Sequence, residues 1–383
     1  MIDKAIVLAG GMGKRIMNIT GGSPKVLLKV AGKSIIDRVM ENLINVGIKD
    51  VSIITDRTAV IEDVIHHYKK YASISVVEQK EADLIGALLT AAELIDSDTL
   101  LVYGDILIKS EALRDILLSQ ELYRKSVMLL IPEEDVREYG AVTITEDNYV
   151  NTFIEKPGEK IEEAYAYGGI MTVNEEFAKL LIETESFEDT INNLAKERKI
   201  RAFIWSGWWV DIGYPWDLLK ALHYLLSELE ATKISAKAKI ADTAIIEGPV
   251  IIDDEAEIDH YAIIKGPVYI GKRVYVGNHS LIRPFTSLEK GSIIHAYSEV
   301  FWSSLQEEAL IGRGSFIAFS VLGSKAVIEP NVLTKVVVSE EMRGIRPIEV
   351  IKNHKERYLK LGAFISAGRR IRAGTILEPG AMV

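Results

Sequence analysis

The 383-residue chain has no cysteine, which excludes disulfides, thiolate nucleophiles and cysteine-ligated zinc or iron-sulfur centres together. Any metal must be held by oxygen or histidine. Proline is scarce, at 10 residues, and a composition 48% hydrophobic and 26% charged is that of a folded chain rather than a disordered one. There is no long Lys/Arg run, and 45 basic against 55 acidic residues leave a formal charge of -10, which argues against a nucleic-acid partner. No stretch approaches the roughly 18 apolar residues of a membrane span, and the early apolar run Ala5 to Ala9 is too short for a signal peptide. A cytoplasmic enzyme or binding protein with no membrane partner is expected. At about 150 residues per domain, the length predicts two or three domains.

Two periodicities divide the chain. From Lys4 to about Glu230, short β-branched runs alternate with amphipathic ones, the pattern of an α/β domain with a mostly parallel sheet. Strands are expected near 5–9, 50–55, 73–77, 100–103, 126–131, 141–145 and 201–205. Helices are expected near 34–46, 61–71, 84–95, 110–122, 174–198 and 215–230. After Thr232 the helical period vanishes. Every sixth residue from Ile234 through Ile240, Ile246 and Ile252 to Val300 is Ile, Val or Leu, and the residue four places later is small. A six-residue period with one inward aliphatic describes a parallel β-helix, three hexads to a coil. Gly248-Pro249 and Gly266-Pro267 recur one coil apart, so the same residues turn the same corner. The register slips near Leu305 and again at Leu322. It breaks over Ser339 to Lys360, where a partly helical excursion is expected, and returns at Ile365, Ile371, Leu377 and Val383. The expected domains are 1–230 and 231–383.

The chemistry-bearing residues cluster at strand ends in the first half. Gly10, Gly11 and Gly13 follow the first strand, and glycines there let backbone N–H groups approach a polyphosphate. The loop is neither a Rossmann fingerprint, since Ile16 stands at the third glycine, nor a P-loop, since Gly-Lys-Ser/Thr is missing. A glycine-rich turn by itself is more often only a turn. Arg15, and Lys25 in Ser23-Pro24-Lys25, supply charge to neutralise a triphosphate. Asp105 after Gly104, and Asp211 after Trp209-Val210, are oxygen donors of the kind Mg²⁺ takes beside phosphates; either alone is an ordinary turn or cap residue. Glu155-Lys156-Pro157 could offer a carboxylate to sugar hydroxyls and an ammonium to a sugar phosphate, or be a surface pair.

Taken together and in this order, Leu8 to Arg15, Pro24-Lys25, Gly104-Asp105, Glu155-Lys156-Pro157 and Trp209-Val210-Asp211-Ile212-Gly213 resemble the sugar-1-phosphate nucleotidylyltransferases. With the hexad repeats behind them, nearly the whole chain is similar to the archaeal-type bifunctional enzymes that add an amino-sugar-phosphate acetyltransferase on a C-terminal left-handed β-helix. The resemblance implies a Rossmann-like nucleotidyltransferase domain with a mixed, mostly parallel sheet. It implies transfer of a nucleotidyl group from UTP or dTTP to glucose-1-phosphate or N-acetylglucosamine-1-phosphate, and a homotrimer. Arg15 and Lys25 would hold the phosphates, and Asp105 with Asp211 the Mg²⁺. Gln79 and Gly86 would read a pyrimidine, Glu155 would bind the sugar and Lys156 its phosphate, with Gly140 and Gly169 among the substrate-binding residues.

The sequence also departs from that pattern. Lys14 stands where Thr or Ser is usual, Met17 near a usual Pro, Ala87 where Thr is common, and Tyr167-Gly168-Gly169-Ile170 where relatives begin with a sugar-binding Asn. Counting back from Lys360-Leu361-Gly362-Ala363-Phe364-Ile365 puts Arg313 and Phe316 at the acetyltransferase His and Tyr, and Val336-Val337-Val338 at its Asn-x-Arg. A guanidinium cannot act as a base near neutral pH, so loss of acetyl transfer is expected; His295, near Tyr297, is the one substitute base. The departures motivate an alternative, a noncatalytic nucleotide-sugar-binding regulatory or scaffolding paralogue.

Overall fold

The computed structural model describes residues 2–11, 13–81, 83–338, 348–352 and 356–383. Contacts divide the chain into two compact units, Met1–Met12 with Ile35–Asp211, and Gly13–Ser34 with Ile212–Val383. The segment after the first glycines, and the helix Asp217–Ser227, therefore group with the β-helix.

The first unit is built on a mixed sheet. Lys4–Leu8 lies between Asp50–Thr55 and Thr99–Tyr103, and Ser73–Glu78 extends it, all parallel. Tyr165–Val173 then runs antiparallel to Thr99–Tyr103, Ser126–Ile131 and Gly140–Ile144. Parallel strands covered on both faces read as continuous apolar runs, which is why Val51, Ile53 and Ile54 are all fully buried. Helix Ile35–Asn45 buries Ile35, Ile36, Val39, Met40 and Leu43, the one-face spacing of an amphipathic helix. The helix expected over 174–198 is two, Glu175–Thr184 and Phe187–Lys196. Glu185 takes a left-handed turn (φ 49°), and the Ser186 hydroxyl then accepts the Asp189 N–H to start a new helix. Val150–Glu155 and Tyr165–Val173 are strands that the periodicity did not reveal; in the latter, Gly168 and Gly169 interrupt the β-branched signal.

The second unit is the left-handed parallel β-helix, three seven-stranded sheets that repeat in rotation. Its core is a stack of Ile258, Ile264, Ile270, Val276, Ile282, Leu288 and Ile294, with their successors to Leu377. Val250 pairs with Val268, eighteen residues on, but Ser287 pairs with Ser304, seventeen on. The register slips are thus shortened coils, and the missing residue falls at the corner where Phe285, Trp302 and Phe319 stack. Helix Asp217–Ser227 covers this aromatic corner: Trp302 Nε1 donates to the Leu219 carbonyl at 3.2 Å, and His223 stacks on the Trp302 ring at 5.1 Å.

The excursion differs from expectation. Where described, Ile348–Lys352 and Glu356–Lys360 are strands, antiparallel to each other, with Val337–Val338 on the outer side, instead of helix. Alternating charge in the sequence is equally compatible with strands. Residues 339–347 and 353–355 of the expected excursion lie outside the described residues. The chain re-enters the stack where Leu322 pairs with Ile365, followed by Ile328 with Ile371.

Burial lowers the His223 pKa, and its Nδ1 has no partner among the described residues. Above the unfolded value near 6.5, neither state is charged; as pH falls through it, the unfolded chain takes the proton more readily and stability drops. The thermal midpoint should therefore be lower near pH 5.5 than near pH 7.5, and His223→Phe should narrow that difference. An equal difference in both proteins would refute the assignment.

Candidate active site

The first strand ends beside two other elements. Ala9 N–H donates to the Ile54 carbonyl at 2.8 Å, and Gly104 N–H to the Leu8 carbonyl at 2.8 Å. A Cβ on Gly104 would lie 2.9 Å from the Leu8 oxygen, so only glycine lets Asp105 follow so closely on the Ala9-Gly10-Gly11 turn. Gly11 has φ 103°, a conformation costly for other residues. Gln79, buried at the end of Ser73–Glu78, lays its amide against Gly10: a Cβ there would be 1.7 Å from Gln79 Oε1. Gln79 Nε2 donates to the Glu81 carbonyl at 2.6 Å, whereas Oε1 is buried with no partner among the described residues. Gly86 lies in the first turn of helix Leu84–Ala92, and its N–H is already bound to the Asp83 carboxylate at 2.8 Å.

Asp105 and Asp211 are brought together by a short antiparallel ribbon. Trp209–Asp211 pairs with Ile106–Ile108, Asp211 facing Ile106, the residue after Asp105. Trp209 is buried and donates to the Gly168 carbonyl at 3.1 Å, which ties the ribbon to the sheet. The Tyr103 hydroxyl reports the charge of the region. Burial, Tyr167, and the carboxylates of Glu155, Asp105 and Asp211 push its pKa well above the ordinary phenol value. The charge of three acidic side chains is thus felt by one phenol at a strand end. Glu155 stands opposite Gly140 at the end of its hairpin. Lys156 N–H donates to the Tyr139 carbonyl at 3.0 Å, and its ammonium lies 3.4 Å from Glu155 Oε1.

Tyr167, which the resemblance sets against the family's Asn, lies within an aromatic group of Tyr103, Phe153 and Phe187. Its hydroxyl is buried with no partner among the described residues, and burial, with Glu155, raises its pKa. Gly169 lies in the irregular stretch where the pairing with Ser126–Ile131 shifts between Tyr167 and Met171. Neither tyrosine was singled out as a site residue from sequence beyond the Asn-to-Tyr departure, because an aromatic in an apolar strand reads as core.

Gly13, Arg15 and Lys25 belong to the second unit. A Cβ on Gly13 would lie 3.3 Å from Lys25 Cβ, so the loop and the short 3-10 turn Lys25–Leu27 are in contact. The Arg15 guanidinium is 4.9 Å from the centre of the Tyr214 ring, which itself stacks on Trp216 at 4.5 Å. Asp217 accepts the N–H groups of Gly213 and Tyr214 at 2.9 and 2.7 Å and holds the turn after Asp211.

On the β-helix, Arg313 is exposed, its guanidinium 4.8 Å from the centre of the Tyr297 ring, and Phe316 sits on strand Phe316–Ala318. His295 and Arg313 line a groove of about 470 Å³ with Glu329 and Arg370, which are 3.1 Å apart. No described side chain is bonded to the His295 ring.

Residues 4–228 match the family model described as nucleotidyl transferase. The chain belongs to that family. Over 99% of its length it is 31% identical to the bifunctional protein GlmU of Methanocaldococcus jannaschii, covering 91% of that protein. It is 29% identical to the bifunctional sugar-1-phosphate nucleotidylyltransferase/acetyltransferase of Sulfurisphaera tokodaii, over 99% of this chain and 94% of that one. Among solved structures, a UDP-glucose pyrophosphorylase from Acinetobacter baumannii superposes with a TM-score of 0.51 at 22% identity, covering 60% of this chain and 95% of that one, a likeness of fold alone. This nucleotidyltransferase is thus an enzyme related to bifunctional proteins along its whole length. No helix among its described residues is long and apolar enough to cross a membrane.

Proposed function

We propose that this nucleotidyltransferase transfers a nucleotidyl group from UTP or dTTP to glucose-1-phosphate or N-acetylglucosamine-1-phosphate and releases pyrophosphate. What supports the reading is the ribbon that sets Asp211 opposite Ile106, the residue after Asp105, in the unit whose Gln79 presents an acceptor with no partner among the described residues beside the glycine turn. The imide N–H of uracil or thymine would donate to Gln79 Oε1, whereas cytosine and adenine offer a lone pair at the corresponding ring nitrogen.

Asp105 and Asp211 fit Mg²⁺, since carboxylate oxygens suit a hard cation that keeps waters and phosphate oxygens as its other ligands. Among the described residues no group of three or more His, Asp or Glu stands ready for a metal, so two carboxylates plus phosphates are the available set. When bound, the ion would offset charge on the phosphates. An oxygen of the sugar phosphate bonds to the α-phosphorus in line as the bond to the β-phosphate oxygen breaks, and pyrophosphate leaves. Arg15 and Lys25 would neutralise the triphosphate, Glu155 would accept from sugar hydroxyls and Lys156 would meet the sugar phosphate, so catalysis is positioning and charge stabilisation.

Acetyl transfer is proposed to be lost. Arg313 stands at the base position, and a general-base histidine is normally oriented by another group, which His295 lacks among the described residues. Acetyl-CoA turnover with glucosamine-1-phosphate should be undetectable; measurable thiol release would refute the loss.

Pyrophosphate release with each nucleoside triphosphate and each sugar-1-phosphate tests the main reading. Release with UTP or dTTP is expected. Silence across the panel with nucleotide binding intact would favour a regulatory binder.

Tyr167 makes a further difference at the sugar. Tyr167→Phe removes a hydroxyl with no partner among the described residues, so the thermal midpoint should stay level or rise, while the KM for the sugar phosphate rises about fivefold or more, as for loss of one ligand hydrogen bond. An unchanged KM would sink this role.

A further inference from the structure

The segment Gly13–Ser34, which carries Arg15 and Lys25, packs with the β-helix, and its attachment is unusually polar. Residues that follow successive strands of one β-helix sheet form a row against it: Glu289 after Thr286–Leu288, Gln306 after Ser304–Leu305, Gly323 after Val321–Leu322, and Ala367 just beyond Phe364–Ile365. Gln306, 2% exposed, closes a two-way bond with a single residue. Its Oε1 accepts the Lys29 N–H at 2.9 Å and its Nε2 donates to the Lys29 carbonyl at 2.9 Å. Glu289, also 2% exposed, receives the Gly32 N–H at 3.3 and 3.2 Å on its two oxygens. Toward the front of the segment, Ala367 N–H donates to the Asn18 carbonyl at 2.8 Å, and a Cβ on Gly323 would lie 2.8 Å from the Ile19 oxygen.

Burying an amide and a carboxylate costs free energy unless their hydrogen bonds are met. Within their own coils they also meet short-range partners, Glu289 Oε1 accepting from Ser287 Oγ at 2.6 Å and Gln306 Nε2 donating to Ser304 Oγ at 3.0 Å, yet the corresponding place after Val250–Ile252 and Val268–Ile270 is taken by Asp253 and Gly271. The buried polar pair appears in the coils that grip the segment. The lever from grip to charge is short: Leu28 N–H closes the turn on the Lys25 carbonyl at 3.0 Å, and Lys29 is the next residue.

We infer that the β-helix positions the phosphate-binding segment, with Gln306 and Glu289 as positioning residues for nucleotidyl transfer. This rests on the function proposed above, in which Arg15 and Lys25 meet the triphosphate. A displacement of about 1 Å at a substrate-positioning group can cost around 100-fold in rate.

The test uses the full chain with Gln306→Leu, Glu289→Leu and Glu289→Gln. For the two leucine variants, kcat/KM for the nucleoside triphosphate should fall about tenfold or more, within that positioning range, while the KM for the sugar phosphate stays within about twofold. Glu289→Gln keeps an acceptor for the Gly32 N–H and should lie nearer to wild type. A lower thermal midpoint with unchanged triphosphate kcat/KM, or an equal effect on both substrates, would overturn the inference and leave a structural anchor. If wild type makes no product with any pair, the proposed function fails on its own, and UTP binding by titration decides the inference: weaker binding in the leucine variants upholds it, equal binding overturns it.

Discussion

Asp105→Asn is expected to lower kcat for pyrophosphate release by about three orders of magnitude, with the thermal midpoint near that of wild type. Asparagine keeps the shape and one carbonyl acceptor but removes the charge, and loss of one preorganised electrostatic group at a developing phosphoryl charge costs about 100- to 1,000-fold. Asp105 is held at its place by backbone, through the Gly104 N–H on Leu8 and the ribbon that faces Ile106 with Asp211. Removing Mg²⁺ with EDTA should reproduce the loss, and added Mg²⁺ should restore wild type but not the variant. Retention of more than about a tenth of the wild-type rate, a loss small against the hundredfold range for such groups, would remove Asp105 from the mechanism.

Gly362→Ala is expected to destabilise the chain more than any other single methyl addition considered. A Cβ at Gly362 would lie 2.0 Å from the Ala318 carbonyl oxygen, 2.2 Å from Ser320 Oγ and 2.8 Å from the Phe319 oxygen. These are atoms of the preceding coil, and Gly362 N–H is itself bonded to the Phe319 carbonyl at 2.8 Å. The backbone cannot yield without breaking the pairing of Val321 with Phe364, through which the chain returns to the stack. Overpacking of this kind costs about 3 kcal/mol or more when backbone must move. Urea unfolding followed by circular dichroism should show a clearly lower midpoint; a midpoint matching wild type would mean that the coils have room to separate.

Much of the architecture could be read from order and spacing. A hexad period depends on each coil repeating the last, so Ile258, Ile264 and Ile270 announce their burial without knowledge of any distant residue. The buried strands Asp50–Thr55 and Ser126–Ile131 are legible for a similar reason, since short apolar runs bounded by turn residues have few other uses. Val150–Glu155 and Tyr165–Val173 are not legible because their strand character comes from pairing across the sheet and, in the second, is diluted by Gly168 and Gly169. The excursion is not legible because charge alternation does not distinguish a helix face from a strand.

The site divides along the same line. The residue types at Gly10, Gly11, Arg15, Lys25, Asp105, Glu155 and Asp211, and their order, are properties of the chain by itself, because local turns and strand ends place them. Local signals do not specify what stands beside them. Only the tertiary structure sets Asp211 across from Ile106, leaves Gln79 Oε1 and the Tyr167 hydroxyl without partners among the described residues, and joins Gln306 to Lys29, 277 residues away in sequence. Burial and pairing of polar groups depend on which distant surfaces meet, and that follows from packing the whole chain rather than from any window of it.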